Sequence, residues 1–442
     1  MRSSTRLWPA LAVCLRVFLY SPSAQAVPSF SRQTSLQCAV CHSNPPELTS
    51  FGRKFKLEGY TLAAKTPDAT IGDEELTLQR YFPLSVMLLA SGTIADTHVP
   101  GAQAENVQLP QALSLFLAGA LSAHVGAMVQ VTYSHQSDHL GMDNTDIRYA
   151  DHITLGSHDL LYGATLNNSP TVEDVWNSTP AWGYPWISPG NVPRPAAAPI
   201  ISGALAQDVA GLGAYALWDD HLYVGLTLYR SEHAGGPQPL TGATFAFNIQ
   251  GVAPYWRIAW QQNWGLNYVE IGAYGIHLDS VPLAASGPRD AYTDIAFDLQ
   301  YERPFGPDLL TVHATYIAER SQLTGTVAAG GAAMSEQHLG TFRADGTYHL
   351  RGRYTLTLGG FSTAGSNDPV LFAPAPITGS FSGSPDSEGY VVQAGYWPKQ
   401  NIELSAAYTG YVKFNGSNQN YDGAGRTASA NNSLYLALWL NY

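Results

Sequence analysis

The chain closes on Asn432-Ser433-Leu434-Tyr435-Leu436-Ala437-Leu438-Trp439-Leu440-Asn441-Tyr442, in which every second residue from Leu434 to Leu440 is leucine. Side chains of an extended strand point alternately to opposite faces, so these leucines and Tyr442 share one face. That face is wholly apolar and ends on an aromatic residue. A strand of this kind suits a sheet whose outer surface meets hydrocarbon rather than water.

Working back from this stretch, alternating polarity recurs in sixteen segments, near 76–91, 108–121, 123–134, 145–155, 158–167, 200–217, 221–230, 252–262, 266–279, 291–302, 309–322, 338–349, 353–363, 389–397, 401–413 and 432–442. The connections alternate in length. Short ones include Leu121-Ser122, Trp218-Asp219-Asp220, Asn263-Trp264-Gly265 and Arg351-Gly352; long ones fall near 92–107, 135–144, 168–199, 231–251, 280–290, 323–337, 364–388 and 414–431. A soluble sandwich has no reason to sort its loops by parity. A bacterial outer-membrane barrel does, with short periplasmic turns and long extracellular loops, and an even strand number leaves both termini in the periplasm. The expected fold is therefore all-β: a transmembrane antiparallel β-barrel of about 16 strands over residues 76–442.

Composition agrees. Aromatic residues reach 11%, with 25 Tyr and 10 Trp beside 42 Gly, and only 13% of residues are charged. No segment has the run of about 18 apolar residues that a membrane helix needs. Arg2 and Arg6, the apolar run Leu7–Leu19 and Ser23-Ala24-Gln25-Ala26 read as a signal peptide over 1–26. Cys14 lies within it and follows a valine, a poor context for lipidation. Setting aside Arg2, Arg6 and Arg16 moves the formal charge from −12 to −15, which disfavours nucleic acid as a partner and favours cations. Only Cys38 and Cys41 then remain, so no disulfide framework holds the fold.

Those two cysteines belong to Cys38-Ala39-Val40-Cys41-His42, a CxxCH motif. In this spacing two thiols add across the vinyl groups of one haem and the adjacent histidine ligates its iron. A zinc or redox CxxC is the alternative, but neither a second CxxC nor a thioredoxin-like βαβ pattern accompanies it. The expected cofactor is one covalently attached c-type haem (heme c), bound by Cys38, Cys41 and His42, with His42 as the metal ligand. Residues 27–75 form the unit around the motif. Phe51, Phe55 and Leu57 are candidates to pack on the porphyrin, and Arg53, Lys54 and Lys56 either answer its propionates or form a solvated basic face. Some 48 residues bury too little surface to shelter a haem alone. Between Val27 and Glu75 there is no methionine, and His42 is the only histidine. The sixth iron position is thus left to lysine, water, nothing, or a side chain from the rest of the chain.

The segment Pro28–Leu62, with PSFSRQTSLQCAVCH and PELTSFGRKFKLEGYTL, resembles the fused outer-membrane monohaem cytochrome-porins of iron-oxidising bacteria. The resemblance covers about 35 residues by motif and the barrel by architecture. It implies haem at Cys38, Cys41 and His42, residence in the bacterial outer membrane, and transfer of electrons from an extracellular donor such as Fe(II) to a periplasmic c-type cytochrome or other carrier. In that role the chain is an Fe(II) oxidase only as an electron-transfer cytochrome, with no catalytic residue expected. The rival reading is a diffusion porin with a haem-bearing plug or sensor.

Two further expectations come from the barrel itself. The stretch 168–199, rich in proline and with Trp176, Trp182 and Trp186, either folds into the lumen, as the corresponding porin loop does, or forms an external lid. Alternation also places Met87, His124, Met128, His152 and His313 on inward faces, together with Asp294, Asp298, Glu302, Arg343, Asp345 and Arg353. These line any wet channel, yet collectively they offer sulfur and imidazole donors to an iron short of one ligand. The haem unit is expected to sit inside the lumen.

Overall fold

The computed structural model describes residues 28–62, 70–72, 77–79, 82–97, 101, 103–179, 182–232, 247–282 and 287–442. The expected signal peptide at 1–26 and most of the linker 66–75 lie outside these residues. Sixteen antiparallel strands close into one barrel: β1 (Leu84–Ala95), β2 (Glu105–Ala120), β3 (Val125–Ser134), β4 (His139–Leu155), β5 (His158–Asn167), β6 (Val209–Trp218), β7 (Leu222–Ser231), β8 (Ala253–Trp264), β9 (Asn267–Ser280), β10 (Asp290–Phe305), β11 (Asp308–Gln322), β12 (Glu336–Leu350), β13 (Tyr354–Gly365), β14 (Ser387–Lys399), β15 (Ile402–Lys413) and β16 (Ser433–Asn441). Each pairs with its neighbour in sequence, and β16 pairs with β1, placing Leu436 opposite Gly92. The last residue completes the seam, because Tyr442 and Val86 exchange both backbone hydrogen bonds at 2.7 Å. Closure leaves no strand edge open to pairing with another chain.

Alternation is borne out strand by strand. On β16, Tyr435, Ala437 and Trp439 are buried, whereas Leu434, Leu436, Leu438 and Leu440 are turned outward. On β8, Tyr255, Arg257 and Ala259 are buried inside while Trp256, Ile258 and Trp260 are exposed outside. The outer face is thus an apolar belt with aromatic residues such as Trp218, Trp264, Phe305 and Tyr354 near the short turns. No described helix is long and apolar enough to cross a membrane; the crossing is made by strands.

Loop parity also holds, except that the long connection expected at 135–144 is a turn of residues 135–138. The short connections, such as 156–157, 306–307 and 351–353, lie at one end, and the long ones, such as 168–208 and 366–386, lie at the other. Arg351 and Gly352 both take positive φ, 52° and 61°, a tight turn within the three-residue connection between Leu350 and Tyr354. Several strand boundaries differ from expectation, the fourth strand beginning at His139 rather than 145. The first barrel strand begins at Leu84 rather than 76, and Thr77–Gln79 pairs instead with Thr70–Gly72; Pro83, which has no N–H to give a ladder, marks the break. Residues 200–208 are turns rather than strand, with Gly203 at φ 112° ending the short helix Ile200–Ser202.

The lumen is not empty. The N-terminal segment comprises α1 (Pro28–Thr34), α2 (Cys38–Cys41), a ribbon pairing His42–Asn44 with Glu47–Leu48, and α3 (Ser50–Leu57), whose first turn is capped by Thr49 accepting from the Gly52 N–H. Its contacts run around the inner wall. Ser29 N–H donates to Ser85 Oγ on β1, Gln33 Nε2 to the Ala118 carbonyl on β2, and Tyr60 Oη to Asp146 on β4. The Tyr215 hydroxyl on β6 donates to the Leu57 carbonyl, and Arg53 meets Glu302 on β10 at 2.5 Å. Glycines receive the segment: a side chain at Gly126 would meet the Gly59 carbonyl, and one at Gly119 would meet Gln33. The loop 168–199 folds inward above it. Val172 and Trp176 are buried, and Lys56 Nζ donates to the carbonyls of Val172 and Asp174 at 2.5 and 3.0 Å.

Candidate functional site

Cys38 and Cys41 begin and end the single turn of α2 and are not disulfide-bonded. His42 follows in extended backbone, at φ −129° and ψ 132°. The turn is pressed against α3 at one point. A side-chain carbon on Gly52 would lie 2.1 Å from the Cys41 carbonyl oxygen, so only glycine permits this approach. Thr49 N–H donates to that same carbonyl at 2.9 Å, and Thr49 Oγ1 donates to the Val40 carbonyl at 2.6 Å. Short-range packing of α2 on α3 therefore holds the three CxxCH side chains together.

All three border one cavity of about 290 Å³ inside the barrel. That is near the lower end of the roughly 300–1,000 Å³ usual for small-molecule sites. Its walls are mainly aromatic and aliphatic: Phe30, Phe55 and Tyr60 from the N-terminal segment, Phe116 and Trp439 from the barrel, and Trp186 from the inward loop. Phe30 stacks on Tyr60 at 5.4 Å and meets Phe55 edge-on at 5.1 Å. Met87 of β1 and Met128 of β3 also border it.

Burial keeps both Cys41 and His42 uncharged. Burial, with a smaller contribution from Cys38, pushes the Cys41 thiol up to about 11, so it stays neutral until reaction. Burial also holds His42 below the usual imidazole range, against the opposing pull of Glu47 and its backbone, which leaves the ring uncharged as a ligand must be. His42 Nδ1 is turned into the protein without a hydrogen bond of good geometry.

A second cavity of about 340 Å³ also borders Cys38 and His42 and opens at the short-turn rim. Arg351, Arg353 and Lys399 line it and are exposed there. The basic residues of α3 have other roles. Arg53 pairs with Glu302, Lys54 reaches Asp220 at 3.1 Å, and Lys56 is buried among loop carbonyls and lies 4.8 Å from the Trp182 ring. Arg53 and Lys56 are buried and tether the segment to the barrel and loop, Lys56 at the border of the cavity, whereas the Lys54 side chain stays 42% exposed beside Asp220. Of the apolar candidates, Phe55 lines the cavity, Leu57 packs beside Tyr215 away from it, and Phe51 is exposed.

The expected donors separate in space. Met87 and Met128 join the CxxCH cavity. His124 and His152 sit at the rim beside Asp151 and Asp159. His313 is buried one layer out, 3.1 Å from Asp345 and 3.7 Å from Glu47, with His349 3.3 Å from the other oxygen of Glu47. Asp298 pairs with Arg257, and Asp294 accepts from the Ile201 N–H, farther up the lumen. Sequence reading missed Gly52, Trp439 and Glu47 as parts of the site. Only Trp439 left a signal, since alternation puts it on the inner face of β16.

The site fits a c-type haem on its own chemistry: two thiols on one helical turn, a neutral histidine beside them, and an aromatic cavity that all three border. No family model and no curated protein matches this sequence. Solved structures do match the fold. The barrel is similar to Salmonella typhi OmpF in complex with daunomycin, with a TM-score of 0.51 and 10% identity over 84% of this chain and 100% of that one. An anion-selective porin from Comamonas acidovorans gives a TM-score of 0.46 at 10% identity, over 81% of this chain and 98% of that one. A loop L8 deletion mutant of OmpT from Vibrio cholerae gives 0.46 at 11% identity, over 85% and 100%. At such identities the likeness is one of fold: a porin-like barrel of the outer membrane.

Proposed function

We propose that the chain is an outer-membrane electron conduit that takes electrons from an extracellular donor, Fe(II) for preference, and passes them to a periplasmic c-type cytochrome or other one-electron carrier. The observation that carries this reading is the placement of Cys38, Cys41 and His42 on one apolar cavity within the barrel. A haem bound there supplies a one-electron centre inside a wall that otherwise insulates. The balance is simple. One Fe(II) loses one electron to become Fe(III) outside, and one carrier gains it in the periplasm.

The chain's own residues have defined tasks. The Cys38 and Cys41 thiols would hold the haem through thioether bonds, and the His42 imidazole would ligate its iron. Phe30, Phe55, Tyr60 and Trp186 exclude water from the cavity. The exposed Arg351, Arg353 and Lys399 sit where an anionic group or an acidic partner would meet the rim. The N-terminal segment and the inward loop occupy much of the lumen, which supports this reading over free passage of solute.

The fold likeness to OmpF supports a second reading, a diffusion porin with a haem-bearing plug or sensor. Stopped-flow absorbance of the purified haem protein mixed with Fe(II) separates the two. Reduction of the haem band at a rate that scales with Fe(II) is expected of the conduit; an unreactive haem in a conducting channel would favour the porin. Replacing both Cys38 and Cys41 with serine is expected to abolish haem staining after denaturation, since only thioether bonds survive that treatment.

A further inference from the structure

The cavity at the CxxCH turn is bordered by few groups able to bind a metal besides His42, and most of them are already engaged. Lys56 Nζ donates to two carbonyls at 2.5 and 3.0 Å and lies over the Trp182 ring. The Tyr60 hydroxyl donates to Asp146 at 2.7 Å, and burial together with that carboxylate keeps the phenol protonated. Asp174 accepts from the backbone N–H groups of Trp176, Ser178 and Thr179. Two thioethers remain.

They differ in freedom. Met128 is only 8% exposed and is packed into the cluster of Phe55, Tyr60 and Ala118, with Phe30 and Trp182 against it. Met87 stands on the inner face of β1, half-buried, and packs, as Trp186 and Ile187 do, against the cluster of Leu89, Tyr435, Ala437 and Trp439. Both residues next to it in sequence, Val86 and Leu88, fall on the lipid side of the strand, so the open part of Met87 faces the lumen. Thioether sulfur is a soft donor well suited to haem iron, and it raises the reduction potential of the centre.

Resting on the haem reading above, we propose that Met87 is the sixth ligand of the iron held by His42, so that the barrel wall completes a metal centre the N-terminal segment cannot finish alone. Its consequence is that redox potential depends on docking of the segment in the barrel. The methionine ligand suits an acceptor for a donor of high potential such as Fe(II).

The test uses the full-length protein carrying covalent haem, oxidised, with absorbance read across the long-wavelength sulfur-to-iron charge-transfer band. The wild type and Met128→Leu are expected to show the band. Met87→Leu is expected to lose it while keeping covalent haem and the heat-modifiable gel mobility of a folded barrel. Met87→His is expected to give a low-spin spectrum without the band and a lower midpoint potential. Persistence of the band in Met87→Leu, its loss in Met128→Leu, or its absence from a wild type with covalent haem would overturn the assignment. Absence of covalent haem from the wild type would instead sink the haem reading, and this proposal with it.

Discussion

The hydroxyl of Tyr60 donates to Oδ2 of Asp146 at 2.7 Å, joining the end of the N-terminal segment to the inner face of β4. The same oxygen accepts from Arg148 Nε at 2.7 Å, and Thr165 donates to the other at 3.0 Å. Arg148 and Asp146 are both fully buried, so each depends on the other for charge balance. Asp146→Ala, which leaves Arg148 uncompensated, is expected to cost about 3–5 kcal/mol. Tyr60→Phe removes one hydrogen bond and is expected to cost about 1 kcal/mol. Urea unfolding of the detergent-refolded variants measures both; equal costs would mean that the network is not organised around the carboxylate.

Gly52 tests the packing of the CxxCH turn. Gly52→Ala places a methyl group 2.1 Å from the Cys41 carbonyl, so α2 and α3 must separate. The expected outcome is a barrel that still folds, judged by heat-modifiable mobility, with strongly reduced covalent haem staining. Full staining in this variant would show that the two helices need not touch for attachment.

Occlusion of the lumen predicts low conductance in planar bilayers. Two layers fill the channel, the N-terminal segment and the inward loop. Deleting residues 28–62 is therefore expected to raise conductance, and shortening 169–199 as well to raise it again. A wild type that conducts as well as the first deletion would place the segment outside the barrel.

Glu47 gives the docking a pH dependence. Burial alone would raise its carboxyl, but His349 and His313 outweigh that and hold it at about 2, against an ordinary value of 4.5. A carboxylate depressed on folding contributes stability that is fully present above 4.5 and is lost as pH falls towards 2. The thermal midpoint of the wild type is expected to exceed that of Glu47→Gln at neutral pH, with the gap closing across that acid window. A gap that does not change with pH would show that Glu47 is not paired as an anion.

Much of this protein is legible in its sequence. Leu434 to Leu440 announced a lipid-facing strand because side-chain direction in a strand is set by a period of two, a property of the local backbone. For the same reason sixteen strands could be counted, and loop parity oriented them. The CxxCH spacing was equally local. What only the tertiary structure decided is where distant pieces meet. Arg53, Lys54 and Lys56 look like one basic face in sequence, yet each finds its partner far along the chain, Arg53 at Glu302 and Lys54 at Asp220. The inward fold of 168–199 rests on contacts such as Asn177 Oδ1 accepting from the Leu48 N–H, which no local pattern encodes. Alternation placed Met87, Met128, His124, His152 and His313 on one kind of face. Height along the barrel, position around it and the path of the N-terminal segment then brought the two methionines to the cavity and left the histidines outside, because closure fixes in three dimensions what a period of two specifies in only one.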